Sequence, residues 1–221
     1  MSFKKAVCGL ALLAAGCAHA GLPGLPGLHN STTLRLLPRD INDNGGIDVL
    51  IEELDTNGDG GYDLELHYLV KGLAGRKLKL SKPVFGAVDR DYDGETDELV
   101  VRCGHASTRY DLAALESFKR VELYNVLANI SYARFCHSTG TQKPVVLDEK
   151  IDDRGVSQRW DLDGDGAHDL VTKLVPSEEY GLGAMVCPSS YELYNKRGEV
   201  VATFYDEDSD CVVDEIVRSK R

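Results

Sequence analysis

The sequence has no apolar run of the ~18 residues that a membrane-spanning helix needs. Its longest apolar stretch, residues 6–15, follows Lys4 and Lys5 and precedes Ala18-His19-Ala20. A charged start, a short apolar stretch and a small-residue cleavage site together make up a secretory signal. We therefore predict that residues 1–20 are an export signal and that the mature chain has no transmembrane segment.

The same stretch contains Gly16-Cys17, which leaves a second interpretation open, a lipoprotein signal with a lipid anchor at Cys17. Both interpretations place the mature protein outside the cytoplasm. We expect a secreted or periplasmic protein, with a lipoprotein of the cell envelope as the alternative. Residues 21–29 begin with three Gly-Leu-Pro-like triplets, too few for a collagen helix, and are predicted to be a linker.

Basic residues are scarce: 25 Lys and Arg stand against 36 Asp and Glu, which gives a formal net charge of −11. A nucleic-acid-binding protein needs clustered positive charge to neutralise phosphates, so this balance argues against a nucleic-acid partner. Apolar residues still make up 43% of the chain, enough to build a core. An acidic, folded, exported protein is expected.

The sequence also lacks the common catalytic motifs. We find no nucleophile elbow, no paired-histidine zinc-protease motif and no phosphate-binding glycine loop. The histidines at positions 67, 105, 137 and 168 are scattered, and scattered histidines are more often surface or core residues than catalysts. A non-enzymatic role is therefore favoured, and we assign no catalytic residue.

Cysteines are few, and two of the six, Cys8 and Cys17, lie in the predicted signal. An even number of remaining cysteines in an exported chain favours two disulfides, for which three pairings exist. We predict Cys103–Cys136 and Cys187–Cys211, because each pair falls within one of the repeat units whose bounds are given below. A zinc site at Cys136-His137 would lack the usual paired-ligand spacing.

One nine-residue pattern recurs five times, beginning at Asp40, Asp55, Asp89, Asp161 and Asp206. Each copy has Asp at positions 1 and 9 and Asp or Asn at positions 3 and 5. Four copies have glycine at position 6, which permits the sharp turn that brings the position-7 carbonyl inward. Converging carboxylates repel one another unless a hard cation neutralises them, and Ca²⁺ prefers such oxygen ligands.

We therefore predict Ca²⁺ sites formed by the side chains at positions 1, 3, 5 and 9 and the carbonyl at position 7. The predicted ligands are Asp161, Asp163, Asp165, Ala167 and Asp169; Asp89, Asp91, Asp93, Glu95 and Asp97; Asp55, Asn57, Asp59, Gly61 and Asp63; Asp206, Asp208, Asp210, Val212 and Asp214; and Asp40, Asn42, Asn44, Gly46 and Asp48.

Charge count ranks the loops at Asp89 and Asp161 first and the loop at Asp55 third. The loop at Asp40 has two asparagines and is expected to be weaker. The turn at Asp206 is doubtful, because Cys211 replaces glycine at position 6. Metal-free Asx turns are the alternative interpretation. An EF-hand is excluded, because no copy has an acidic residue at position 12.

Short Val-, Leu- and Ile-rich segments flank the loops and predict strands on both sides. This arrangement resembles the Asp-rich loops of FG-GAP and VCBS repeats and of integrin-type β-propellers. The residues that carry the resemblance are Asp161, Asp163, Asp165, Gly166, Asp169 and the following Leu170-Val171. The resemblance implies a calcium-binding β-repeat protein.

An internal duplication is suggested by Glu122-Leu-Tyr-Asn125 and Glu192-Leu-Tyr-Asn195, 70 residues apart. We predict a degenerate first repeat unit at residues 30–83, a second at 84–150 and a third at 151–221. The fold class is all-β: calcium-clamped β-hairpin repeats, propeller-like or sandwich-like. The best helical candidate is short, at residues 111–119.

These features predict an exported calcium-binding protein that serves as a binding, adhesion or envelope-surface module, with structural calcium and an unidentified protein or glycan partner. A secreted metal-dependent hydrolase is the alternative, which would need an exchangeable position on the metal. A calcium sensor or buffer is a third hypothesis, but the sequence offers no helix pair that calcium could open.

Overall fold

The computed structural model describes residues 31–42, 44–74, 77–136, 140–153, 155–175, 187–208 and 210–219. The predicted export signal at 1–20, the linker at 21–29 and the candidate lipidation site Cys17 lie outside these ranges. In the described part of the chain, no helix is both long and apolar enough to cross a membrane.

Strands dominate the described residues, which confirms the prediction of a mostly β protein. These ranges contain thirteen strands and one helix: β1 Thr32–Arg39, β2 Val49–Asp55, β3 Leu64–Ala74, β4 Lys77–Val88, β5 Glu98–Cys103, β6 Ala106–Asp111, α1 Ser117–Tyr132, β7 Gly140–Gln142, β8 Val145–Asp152, β9 Gly155–Asp161, β10 Leu170–Leu174, β11 Ser190–Tyr194, β12 Val200–Tyr205 and β13 Glu215–Arg218.

The strands form two open sheets. Sheet A has seven strands in the sequential order β1 to β7, and sheet B has six in the order β13-β12-β11-β10-β9-β8. All neighbours pair antiparallel except β6 and β7. Sequential order means that each hairpin connects adjacent strands, which is the simplest way to pair them. Among the described strands, the first and last of each sheet do not pair with each other.

The helix lies elsewhere than the sequence indicated. Residues 111–119 were predicted to be helical, and the last three of them are, but Asp111 ends β6 and the helix runs from Ser117 to Tyr132. The backbone N–H of Leu112 instead donates to the carbonyl of Asp97 at 2.8 Å, which ties this segment to sheet A. The helix is buried over much of its circumference, so its sequence lacks the amphipathic period that marks a surface helix.

The main core joins both sheets through this helix. Leu123, Val126 and Leu127 of α1 belong to one buried cluster with residues of both sheets. Sheet A contributes side chains such as Phe85, Leu99 and Val101, and sheet B contributes Trp160, Leu170, Tyr191, Leu193 and Phe204. The helix is therefore the layer that holds the two sheets together.

The same four residues adopt different structures in the two halves of the chain. Glu122-Leu-Tyr-Asn125 lies within α1, whereas Glu192-Leu-Tyr-Asn195 begins in β11 and ends just after it. A tetrapeptide is too short to determine its own conformation, so tertiary context decides it. These stretches are thus not structurally equivalent, and the repeat-unit boundaries stay a prediction.

Both predicted disulfides are present. Cys103 and Cys136 have Cα atoms 5.4 Å apart, and those of Cys187 and Cys211 are 5.0 Å apart, within the usual range. The first bond ties the segment after α1 to the end of β5. The second ties the connection before β11 to the loop at Asp206.

Candidate metal centres

Each of the five Asp-rich loops connects two neighbouring antiparallel strands. The loops that begin at Asp40, Asp55, Asp89, Asp161 and Asp206 join β1 to β2, β2 to β3, β4 to β5, β9 to β10 and β12 to β13. The predicted strand–loop–strand unit is therefore present five times. Three of these hairpins lie in sheet A and two in sheet B.

One backbone hydrogen bond closes every loop. The N–H of the position-9 aspartate donates to the carbonyl of the residue that precedes position 1, at 2.8–2.9 Å in all five copies. In the loop at Asp161, for example, Asp169 donates to the carbonyl of Trp160. This bond places the first and last aspartates of each loop side by side at the strand ends.

Side-chain oxygens of aspartate, and of Asn44 in the first loop, accept backbone N–H groups in the same way in each loop. The position-9 Oδ2 accepts the N–H of position 2 at 2.7–3.1 Å. The position-1 Oδ2 accepts the N–H of position 6 at 2.6–3.1 Å. The position-5 Oδ1 accepts the N–H of position 7 at 2.7–2.8 Å. The described residues of the five loops therefore share these three hydrogen bonds.

Position 6 has a left-handed backbone in every loop, with φ between +70° and +90°. Four copies use glycine, which adopts this conformation without steric cost. Cys211 adopts it too, at φ +70°. The turn that the sequence left in doubt is therefore formed, and the disulfide to Cys187 holds this position in place.

Three loops bring three carboxylates close enough to share an ion. In each group, one oxygen from every residue lies within 4.8 Å of the others; the groups are Asp89, Asp91 and Asp97; Asp161, Asp163 and Asp169; and Asp206, Asp208 and Asp210. Three Asp-rich groups could thus hold a metal ion. All-oxygen donor sets of this kind suit a hard cation such as Ca²⁺.

The affinity ranking of the loops stays a prediction, because a distance between carboxylates does not measure affinity. The loops at Asp89 and Asp161, ranked first, both contain such a group, and so does the loop at Asp206. The loop at Asp55 has Asn57 at position 3, where those three loops have aspartate. At Asp55, the amide of Asn57 donates to Asp59 at 2.9 Å, so these two side chains bond each other. The carbonyl ligands assigned to position 7, such as Ala167 and Glu95, stay a prediction.

Electrostatics within the loops vary with the number of carboxylates. Desolvation raises the pKa of Asp91, and the neighbouring Asp93 and Asp97 raise it further. Desolvation also raises the pKa of Asp210, with a contribution from Asp208. Asp55 differs, because the backbone N–H of Gly58 is the largest influence and lowers its pKa. Crowded carboxylates favour a bound cation, which would relieve their repulsion.

Two loops also contact a cation of the protein itself. Arg120 of α1 lies with Nη1 3.3 Å from Asp97 Oδ1 and 3.5 Å from Glu95 Oε2. Lys196, in the turn between β11 and β12, places Nζ 3.4 Å from Asp163 Oδ2. Lys196 is exposed, so this pair is weak in water. Both contacts place positive charge beside a candidate metal ligand.

Replacing Lys196 by Gln is expected to raise the calcium affinity of the loop at Asp161. An exposed ion pair is worth a fraction of a kcal/mol, so the expected gain is about two- to fivefold. Calcium titration calorimetry measures it, and Arg197→Gln is the matched control. Arg197 lies in the same turn, and its replacement removes the same charge. Among the described residues, Arg197 forms no ion pair with a loop carboxylate. An equal gain in both variants would mean that net charge, not this contact, sets the affinity.

A second polar cluster was missed by sequence reasoning. His67 of β3 is buried, with Nδ1 2.5 Å from the Tyr132 hydroxyl and Nε2 2.5 Å from Glu65 Oε1. The Tyr124 hydroxyl donates to the same Glu65 oxygen. Burial raises the pKa of Tyr124, and so does the charge of Glu65. His67 was expected to be a surface or core histidine, and it is a core histidine held in a hydrogen-bond network.

The sequence gives little indication that these four side chains form a cluster. Glu65 and His67 are two residues apart on one strand and therefore face the same side, but their partners lie more than 55 residues away. Only the position of α1 against sheet A brings the four side chains together.

No protein-family model, curated protein or solved structure matches this chain. The likeness to FG-GAP and VCBS repeats accordingly rests on the loop residues themselves. The function must be argued from the five loops and from the surfaces that they help to build.

Proposed function

We propose that this protein is an exported, calcium-binding β-repeat protein that serves as a binding, adhesion or envelope-surface module. The observation that carries the proposal is the set of hydrogen bonds shared by the described residues of five Asp-rich hairpin loops, three of which gather three carboxylates within 4.8 Å. A common loop geometry is what repeated metal sites require. Two disulfides are compatible with an oxidising compartment outside the cytoplasm.

Calcium has a structural role in this proposal. Each loop would offer four side-chain oxygens and one carbonyl, which leaves little of the coordination shell open to a substrate. The loops lie at strand ends, where the position-9 N–H already closes the hairpin. An ion there would neutralise the carboxylates and lock the hairpin, leaving the surfaces between loops free to bind a protein or glycan.

Calcium titration calorimetry on residues 21–221 is expected to show three tight sites and up to two weak ones. Asp161→Ala together with Asp165→Ala should remove one tight site, because both side chains belong to one loop. Binding of no calcium at millimolar concentration would contradict the proposal.

Two further variants identify the third tight site. Asp206→Ala should remove a tight site if the carboxylate group found there binds calcium. Asp55→Ala should remove it if the glycine at position 6 counts for more than the fourth aspartate, since the loop at Asp55 has three aspartates and the loop at Asp206 has four. Asp148→Ala is the matched control, because Asp148 pairs with Arg159 on β8–β9 and belongs to no loop.

A further inference from the structure

A cavity of about 580 Å³ opens between the inner face of sheet A and helix α1. It lies beside the loops at Asp55 and Asp89, which contribute to its rim. Its main lining side chains are Tyr62 from the first loop, Glu65 and Ala87 from the sheet, and Arg120, Val121 and Tyr124 from the helix. Cavities of a few hundred Å³ are large enough for small ligands.

The strand register explains the room at this point. Glu53, Glu65, Ala87 and Leu99 are lateral neighbours across β2, β3, β4 and β5. The methyl group of Ala87 is the smallest side chain in this row, so space remains between the sheet and the helix. Glu65 borders this space, next to Glu53, which forms an ion pair with Arg35.

The two carboxylate oxygens of Glu65 differ: Oε1 is hydrogen-bonded to its neighbours, and Oε2 borders the cavity. Its Oε1 accepts from the Tyr124 hydroxyl and contacts His67, which is itself held by Tyr132. Its Oε2 forms no hydrogen bond with any residue that the structure describes, and no described lysine or arginine pairs with it. A carboxylate oxygen at the edge of a cavity is a ready acceptor for a donor group.

The surroundings remain acidic even with calcium in place. The loop at Asp55 has three aspartates, so one Ca²⁺ leaves −3 + 2 = −1. The loop at Asp89 has four aspartates, Glu95 and Arg90, so one Ca²⁺ leaves −4 − 1 + 1 + 2 = −2. Arg120, which pairs with Glu95 and Asp97, adds one positive charge, so the two loops and Arg120 together still carry −1 − 2 + 1 = −2. A cationic ligand is therefore favoured over an anionic one.

We propose that this cavity binds an organic cation, a protonated amine or a guanidinium group, that donates a hydrogen bond to Glu65 Oε2. Tyr62 and Tyr124 line the cavity, and aromatic rings attract cations. The ring of Tyr62 already holds one cation, since Arg35 Cζ lies 5.9 Å from its centroid. The cation can be a free amine or the side chain of a partner protein. This inference rests on the proposed function, because the two calcium loops form part of the rim.

Titration calorimetry with 1,5-diaminopentane, at saturating calcium and physiological salt, tests the proposal. The diamine is expected to bind, whereas 1,5-pentanediol, which has the same length and no charge, is expected not to. A short peptide with one exposed lysine, compared with the free diamine, distinguishes a protein side chain from a small amine as the source. Equal binding of diamine and diol would overturn the proposal.

Two variants place the binding in this cavity. Glu65→Gln is expected to weaken diamine binding roughly tenfold or more, because it removes a charge-assisted hydrogen bond. Glu65 also belongs to a buried network, so Val121→Lys provides a second variant. Val121 is 45% exposed and lines the cavity, and a lysine there should occupy it or repel the ligand. Undiminished binding in Val121→Lys would contradict the proposal.

Phe118→Lys is the matched control, since Phe118 is 48% exposed on the same helix and does not line the cavity. It should bind the diamine as the unmodified protein does. Calcium titration of the same samples separates the two claims. No calcium binding by the unmodified protein would contradict the proposed function, whereas calcium binding without diamine binding by the unmodified protein would contradict this inference alone.

Discussion

Removing calcium with a chelator is expected to lower the melting temperature of this protein by tens of degrees. An ion that binds only the folded state stabilises it by about 2.7 kcal/mol at 100-fold excess over its dissociation constant. Three such sites would contribute roughly 8 kcal/mol, which corresponds to a shift of roughly 15–30 °C for a chain of this size. That contribution is comparable with the whole net stability of an ordinary domain, ~5–15 kcal/mol.

The location of the loops explains why the effect should spread through the fold. Each loop connects two neighbouring strands, so repulsion among its carboxylates acts directly on a hairpin. Trp160, fully buried, directly precedes the loop at Asp161 and accepts the N–H of Asp169 with its carbonyl. Opening of this loop should expose the indole, so its fluorescence should shift to the red with chelator and return with Ca²⁺.

Magnesium provides the control for this prediction, because it prefers a smaller octahedral shell and should restore much less stability. Melting is followed by circular dichroism with the disulfides intact. Coincident melting curves with and without chelator would show that the loops are acidic turns that need no metal.

Glu122 is expected to make the stability of the protein depend on pH. This side chain lies on α1, 1% exposed, next to Thr172 of sheet B. Burial raises the pKa of Glu122 from 4.5 to about 7, while Thr172 and Lys119 oppose the shift and Glu149 adds to it. The carboxyl is therefore protonated in the folded protein under mildly acidic conditions.

The direction of this pH dependence follows from the folded state binding the proton of Glu122 more tightly than the unfolded state does. The folded state has the higher pKa, so this contribution to stability is fully present below pH 4.5 and is lost as the pH rises through 7. Between pH 5 and pH 8 the loss amounts to roughly 2.5 kcal/mol. Denaturant unfolding at saturating calcium over this pH range measures it.

Glu122→Gln should remove this dependence, because the amide stays neutral throughout, and the variant should be more stable than the unmodified protein at pH 8. Glu116→Gln is the matched control, since Glu116 is exposed beside the start of the same helix. A pH profile unchanged by Glu122→Gln would mean that the carboxyl is solvated in the folded state.

Local features of this protein could be predicted from the sequence because each depends on a few neighbouring residues. The nine-residue loops carry their own hydrogen-bond acceptors: the side chains of Asp161 and Asp169 accept backbone N–H groups of the same loop. Flanking strands such as β5 and β10 followed from short β-rich segments. The disulfides Cys103–Cys136 and Cys187–Cys211 were predicted by assigning each pair of cysteines to one repeat unit, and both are present.

Features that depend on distant contacts were decided only by the tertiary structure. Glu122-Leu-Tyr-Asn125 is helical and Glu192-Leu-Tyr-Asn195 is largely extended, because the first packs between two sheets and the second pairs with strands on both sides. The turn at Cys211 forms although its residue disfavours it, and the disulfide to Cys187 anchors it. The cavity at Glu65 exists because α1 crosses sheet A where Ala87 leaves room. Such packing arises from residues far apart in the chain, and a local sequence pattern does not determine which of them will be in contact.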